Sequence, residues 1–192
     1  MISPFEYIIV LISIILGMGI TQILSGLAGI ILRWNNIKIY WPHSILMLLL
    51  FTIHIQDWWA TYELHTIKLW YLPMFLFIIL YPVNLYILAR ILFPLRWTGQ
   101  PIDLKKFYFE NFRKIYLFMI FLPVHSILSN HFIGGYALGS QLLQFVLTLM
   151  LIVMVVLNRR EEWIHKTLTV LFLVIFITTL IVDWNAFLIT SK

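Results

Sequence analysis

Apolar residues run along this chain in long blocks. They show neither the alternation of a half-buried strand nor the one-sided stripe of a helix on a soluble protein. Six blocks can be drawn, at 5–32, 41–62, 69–93, 111–131, 136–157 and 163–189. Each matches the roughly 20 residues a helix needs to cross the hydrocarbon core of a bilayer. Lipid offers the backbone no hydrogen-bond partners, so each block is predicted to be a helix, which satisfies its own polar groups. The expected fold is all-α: a polytopic membrane protein, a bundle of six transmembrane helices, with residues 1–192 forming one transmembrane domain. Its first half is 1–93 and its second 111–192. The connection between them, 94–110, opens with Pro94 and a Trp-Thr-Gly-Gln-Pro turn at 97–101. Asp103 is placed to cap a following helix. Leu104, Phe107, Tyr108 and Phe112, mixed with Lys105, Lys106 and Arg113, suit a short helix lying in the membrane interface.

Composition agrees and leaves no room for a soluble domain. The chain is 62% hydrophobic and 11% charged, whereas soluble domains carry about 25% charged residues. The charges decide orientation. Of the 13 Lys and Arg residues, all but Lys68 and Lys192 flank one set of alternate block ends, from Arg33 and Lys38 to Arg159, Arg160 and Lys166. By the positive-inside rule that side is cytoplasmic, and both termini face away from the cytoplasm. The net charge of +5 then suits anionic lipid headgroups, not nucleic acid. The first block has no basic lead and no small-residue cleavage site, so it reads as a retained span and not a signal peptide. With no cysteine, disulfides, thiolate metal sites, iron–sulfur clusters and covalent c-type haem are excluded.

An odd number of spans per half gives the halves opposite topology. With an offset of 104, Phe5-Glu6 aligns with Phe109-Glu110 and Ile23-Leu24-Ser25 with Ile127-Leu128-Ser129, five identities in 21 positions. Two inverted three-helix halves, a transporter hallmark, therefore compete with simple shared composition. Tyr40-Trp41, Trp58-Trp59, Trp70-Tyr71, Trp97, Trp163 and Trp184 fall where interfacial aromatic belts belong. In the first span Ser13, Gly17, Thr21, Ser25 and Gly29 recur every fourth residue, a small-residue stripe on one helix face. Such a stripe lets two backbones approach closely in lipid. The partner is another helix of this chain, a second copy in a homo-oligomer, or another subunit of a membrane complex.

Ionisable and polar residues inside spans mark function more often than surface charges do. His54, Asp57 and Thr61 share a face of the second span, with Gln56 pointing elsewhere. The fourth carries His125, Ser126, Ser129 and Asn130 after Pro123, which frees a carbonyl one turn earlier. The fifth carries Ser140, Gln144 and Thr148, the sixth Thr179 and Asp183, and the third Asn84 near Pro82. In the charge-derived orientation His54, Asp57, His125 and Asp183 lie in the outer halves of their spans, with Glu6 at the same level. Their shared depth predicts one hydrated polar cluster, suited to proton relay or small-cation binding in a small transporter, channel or membrane sensor. The alternatives are a b-type haem held by His54 and His125, a hard-metal site of Asp57, Asp183 and His54, and a non-catalytic structural subunit. No cofactor is otherwise expected. Enzymatic chemistry has weak support, since Ser126 and Ser129 sit at ordinary intrahelical spacing from His125 and no nucleophile elbow or zincin motif occurs.

Phe5-Glu6-Tyr7, Leu16-Gly17-Met18-Gly19-Ile20-Thr21, Trp41-Pro42-His43, Gln56-Asp57-Trp58-Trp59 and Glu63-Leu64 together resemble a group of short bacterial inner-membrane proteins known as uncharacterised conserved membrane proteins. The resemblance is confined mostly to the first 65 residues. It implies a multi-pass protein of the bacterial cytoplasmic membrane and no particular activity, so no functional residue follows from it.

Overall fold

The computed structural model describes residues 3–94 and 101–183, with side chains as far as residue 181. Six long helices form an all-α bundle: α1 (Pro4–Leu32), α2 (Trp41–Ala60), α3 (Leu72–Ile91), α4 (Leu104–Phe132), α5 (Leu142–Leu157) and α6 (Glu162–Asp183). Their starts follow local chemistry. Ser3 and Glu6 form a reciprocal capping box before Pro4, Pro42 and Pro73 sit in the first turns of α2 and α3, and Asp103 accepts from the Lys106 amide at 3.0 Å. Fixed proline φ and a side-chain oxygen for the orphan amides are what a helix N-terminus needs. Residue Gly135, at φ +69°, turns the chain after α4 in a region that other residues avoid.

The anticipated interfacial helix at 104–113 is not a separate element. It is the first third of α4, and Leu104, Tyr108 and Phe112 are buried in the core. Their spacing of four places them on one face, which packs inward. A two-residue parallel pairing of β1 (Ile37–Lys38) with β2 (Ile102–Asp103) ties the α1–α2 connection to the α3–α4 connection. A Lys105–Glu162 ion pair brings the start of α6 to the same end. At the opposite end the Phe5 ring meets His65 at 6.3 Å. The helices therefore alternate up and down, with the cationic connections gathered at one end, here the basic end, and the start of α1 at the other, the N-terminal end.

Five helical stretches are long and apolar enough to cross a membrane: α1, α3, α4, residues 138–157 containing α5, and α6 up to Ile181. α2 is not among them. It is the central helix, packed against α1, α3, α4 and α6, and it carries His43, His54, Gln56 and Asp57. Its inward face, where His43, Leu46, Met47 and His54 are buried, can hold polar groups that an outward face could not, while Leu48 and Ile55 of the same helix are exposed. The periphery is apolar, with Trp34, Trp41 and Trp163 exposed at the basic end and Trp58, Trp59 and Tyr71 at the N-terminal end.

The closest pairings are α1 with α3 and α4 with α5. Each half thus contributes one tightly packed pair, but of unlike order, since the offset of 104 would set α1–α3 against α4–α6. The first-span stripe does not make the α1 contact. Ile12, Leu16, Gly19, Ile23 and Gly26 face the bundle, while Gly17, Thr21 and Ser25 are exposed, Ser13 is half-buried and only Gly29 is buried. Nothing lies within 4 Å of where a Gly17 side chain would begin. The close approach is instead at Gly19, where a Cβ would strike the His54 ring, and at Gly26, where it would strike Phe93.

Candidate functional site

The residues expected to converge separate into different environments. Glu6 is exposed and spent on the capping box, its Oε2 accepting from the Ser3 amide at 2.7 Å. His54 is fully buried and points at α1. Its Nδ1–H donates to the Leu50 carbonyl at 2.7 Å, which leaves Nε2 as a bare acceptor, buried without a partner against Gly19. His125 turns to α3: its Nε2–H donates to the Phe77 carbonyl at 2.8 Å, and the ring stacks on Phe77 at 4.3 Å and 12°. Asp183 closes α6, and its side chain lies outside the described residues. Among the described residues no three His, Asp or Glu side chains group to hold a metal ion.

These contacts bear on the haem alternative. An axial imidazole needs a free ring nitrogen with space in front of it. His125 has committed Nε2 to a carbonyl, and the bare Nε2 of His54 faces a glycine with no room for a methyl group. The two imidazoles do not fit as a ligand pair in this arrangement.

His125 instead belongs to a helix clamp that the sequence reading missed. While His125 reaches from α4 to Phe77 of α3, Asn84 reaches from α3 to the Phe118 carbonyl of α4 at 3.0 Å. The local sequences match: residues 76–84, Leu-Phe-Ile-Ile-Leu-Tyr-Pro-Val-Asn, and 117–125, Leu-Phe-Met-Ile-Phe-Leu-Pro-Val-His, share five of nine positions. In each, the residue two after the proline donates to the carbonyl five before the other proline. That carbonyl is one residue before the one that proline deprives of its helical donor. Two antiparallel helices thus hold each other by reciprocal bonds through the same motif. An offset of 41, not 104, would have revealed it.

The clamped pair α3 and α4, with α2, α5 and α6, lines a half-open cavity of about 390 Å³. Its end toward the basic side is apolar, with Leu46, Leu88, Ile115, Leu151 and Phe172 among its walls. Toward the N-terminal end it is lined by Gln56, Ser126, Gln144 and Thr179, one polar group from each of four helices, with Tyr81 from the fifth. Gln56, Ser126, Gln144 and Thr179 stand out singly in the sequence, with Gln56 expected to point away from His54 and Asp57. Their similar distance from the helix ends at the N-terminal side was the signal that they meet. Asp57 follows Gln56 on α2 but is not itself a lining residue: its Oδ2 is buried without a hydrogen-bond partner, and its carboxyl lies close enough to the Tyr81 hydroxyl to interact electrostatically.

A second polar group lies at the basic end. His165 donates Nε2–H to the Arg159 carbonyl at 2.9 Å, so Nδ1 is the acceptor. Tyr108 donates to it at 2.8 Å, and Tyr116 lies 2.7 Å from the Tyr108 hydroxyl, placed to donate in turn. All three side chains are fully buried. A directional chain of this kind locks α4 to α6 with each buried donor used. The rings of Tyr40 and His43 pack on Tyr108 at 5.4 and 5.8 Å. Burial, with a smaller contribution from Glu162, pushes the Tyr40 hydroxyl up to about 12. Neither ring nitrogen of His43 makes a well-formed hydrogen bond, although the ring lies beside the Leu92 carbonyl at the end of α3. Outside the spans, Glu161 is held below the usual carboxylate range, first by its own backbone amide and then by Arg159.

Comparisons with protein-family models, with curated proteins and with solved structures find no match.

Proposed function

We propose that this is a small bacterial inner-membrane protein whose cavity receives an amphipathic small molecule, as a transporter or membrane sensor for it. In this reading all six helices span the membrane, the basic end is cytoplasmic, and the cavity mouth opens toward the outer side, where both termini lie. The clustering of Lys and Arg at one end supports the orientation. One observation carries the function: the cavity of about 390 Å³ is apolar toward the basic end and polar toward the N-terminal end. Ligand sites combine an apolar lining with a few polar groups that fix orientation, and helices that merely pack for stability close such a space. Five different helices line it, so an occupant would touch most of the bundle at once and bias its conformation.

The test uses the protein in phosphatidylcholine nanodiscs with N-phenyl-1-naphthylamine, a neutral probe that brightens in apolar sites. Wild-type protein should bind it above the level of empty discs, and Met119→Trp, which fills the cavity from α4, should abolish the excess. Ser126→Phe serves as a second filling variant should the first fail to fold. Equal binding by wild type and a folded, filled variant would overturn the reading. Flux of the probe across proteoliposomes then separates transport from sensing.

A further inference from the structure

Asp57 continues the cavity-lining face of α2. At roughly 100° per residue, Leu46, Leu50, Ile53 and Asp57 fall within an arc of about 60°, and the first three line the cavity. Asp57 sits one turn beyond Ile53, just past the polar end of the lining. Three facts distinguish it from a structural acid. Its Oδ2 is buried and has no hydrogen-bond partner. It takes no part in the ion pairs found among the described residues, which join Lys105 and Lys166 to Glu162 and Arg159 to Glu161 at the basic end. Tyr81 of α3, whose hydroxyl is within electrostatic range of the Asp57 carboxyl, itself lines the cavity.

A carboxylate oxygen withdrawn from water and left without a donor is unfavourable unless something arrives to pair with it. The cavity supplies no cation of its own, as no Lys or Arg lines it. We propose that the occupant supplies the charge: the cavity selects amphipathic monocations, with an apolar body toward the basic end and a positive head toward the N-terminal end. Asp57 is the counter-ion and the Tyr81 ring the face on which the head rests. Aromatic faces attract cations, most strongly where water is excluded. This assignment rests on the cavity being a ligand site, and it adds the sign of the ligand's charge.

Tetraphenylphosphonium and tetraphenylborate separate charge from shape, being ions of similar size and opposite sign. Binding of each is measured by equilibrium dialysis against phosphatidylcholine nanodiscs, with the uptake of empty discs subtracted. Wild-type protein should retain the cation and not the anion. Asp57→Asn should lower the ratio of phosphonium to neutral-probe binding by about tenfold or more, the scale of one lost charge-assisted contact. Asp57→Glu should keep most of the preference. Equal retention of the two ions by wild type overturns the proposal even if Asp57→Asn does not fold, and so does an unchanged ratio in that variant. Either result leaves the cavity reading standing when the neutral probe is still displaced by Met119→Trp. If a filled, folded variant holds neutral and charged probes as wild type does, the cavity reading itself fails.

Discussion

Gly19→Ala and Gly17→Ala are the same chemical change two residues apart on one helix, and they should have opposite effects. In a helix interior Gly is about 0.8–1.0 kcal/mol less favourable than Ala. At Gly17 nothing lies within 4 Å of the new Cβ, so Gly17→Ala should be neutral or stabilise by up to about 1 kcal/mol. At Gly19 the same methyl runs into Nε2 and Cδ2 of His54. That ring is fully buried and tied to the Leu50 carbonyl at 2.7 Å. It gives way only by breaking that bond, worth about 0.5–1.5 kcal/mol, or by pushing α1 from α2, an overpacking cost of about 1–3 kcal/mol. Less the propensity gain, Gly19→Ala should lose up to about 2 kcal/mol, and the two variants, which share that gain, should differ by the clash itself, about 1–3 kcal/mol. Unfolding by sodium dodecyl sulfate in mixed micelles, followed by circular dichroism, measures this. His54→Ala supplies the double-mutant cycle: with the ring gone, adding Gly19→Ala should cost little, giving a coupling energy of at least about 1 kcal/mol. Gly19→Ala as benign as Gly17→Ala, or additivity with His54→Ala, would refute the packing of α1 on α2 described here.

Other outcomes follow from the same contacts. Asn84→Ala and His125→Ala each strip one bond of the α3–α4 clamp and should each cost about 1–3 kcal/mol in the same unfolding assay, while His125→Asn, which restores the residue of the matching motif, should recover part of the loss. Tyr108→Phe removes the shorter donor to His165 Nδ1 and leaves it the Tyr116 hydroxyl at 3.3 Å, and should destabilise by about 0.5–1.5 kcal/mol; a silent substitution would mean the Tyr108–His165 bond is not formed. The chain has no cysteine, so Ser126→Cys and Leu88→Cys can be introduced singly. A membrane-impermeant maleimide added from outside should label the first far faster than the second, and equal rates would refute a mouth at the N-terminal end. Reporter fusions at Lys192 and in the 97–101 turn should report opposite compartments, with the turn cytoplasmic.

What could be read directly was whatever depends on neighbours along the chain. Block length and hydropathy give the number and approximate limits of the helices. Asp103 was legible as a cap, though it starts α4 and not a separate short helix, and the one-sided Lys and Arg give a common end that the β1–β2 pairing and the Lys105–Glu162 pair independently bring together. Rotation of each helix about its axis was not legible. In water a helix declares its buried face by apolar residues. In lipid the outer face is as apolar as the inner one, and that contrast disappears. On α1, Ile12, Leu16 and Ile23 point inward and Ile14 and Leu24 outward, with nothing in their chemistry to distinguish them. The small-residue stripe on its other side drew attention to Gly17, although Gly19 was the glycine that mattered. Depth placed His54, Asp57 and His125 on one level, but they do not converge: His54 faces Gly19 of α1, His125 donates to the Phe77 carbonyl of α3, and the Asp57 Oδ2 is buried without a partner. The cavity itself lies between helices distant in sequence, and only their packing together placed Gln56, Ser126, Gln144 and Thr179 around one opening.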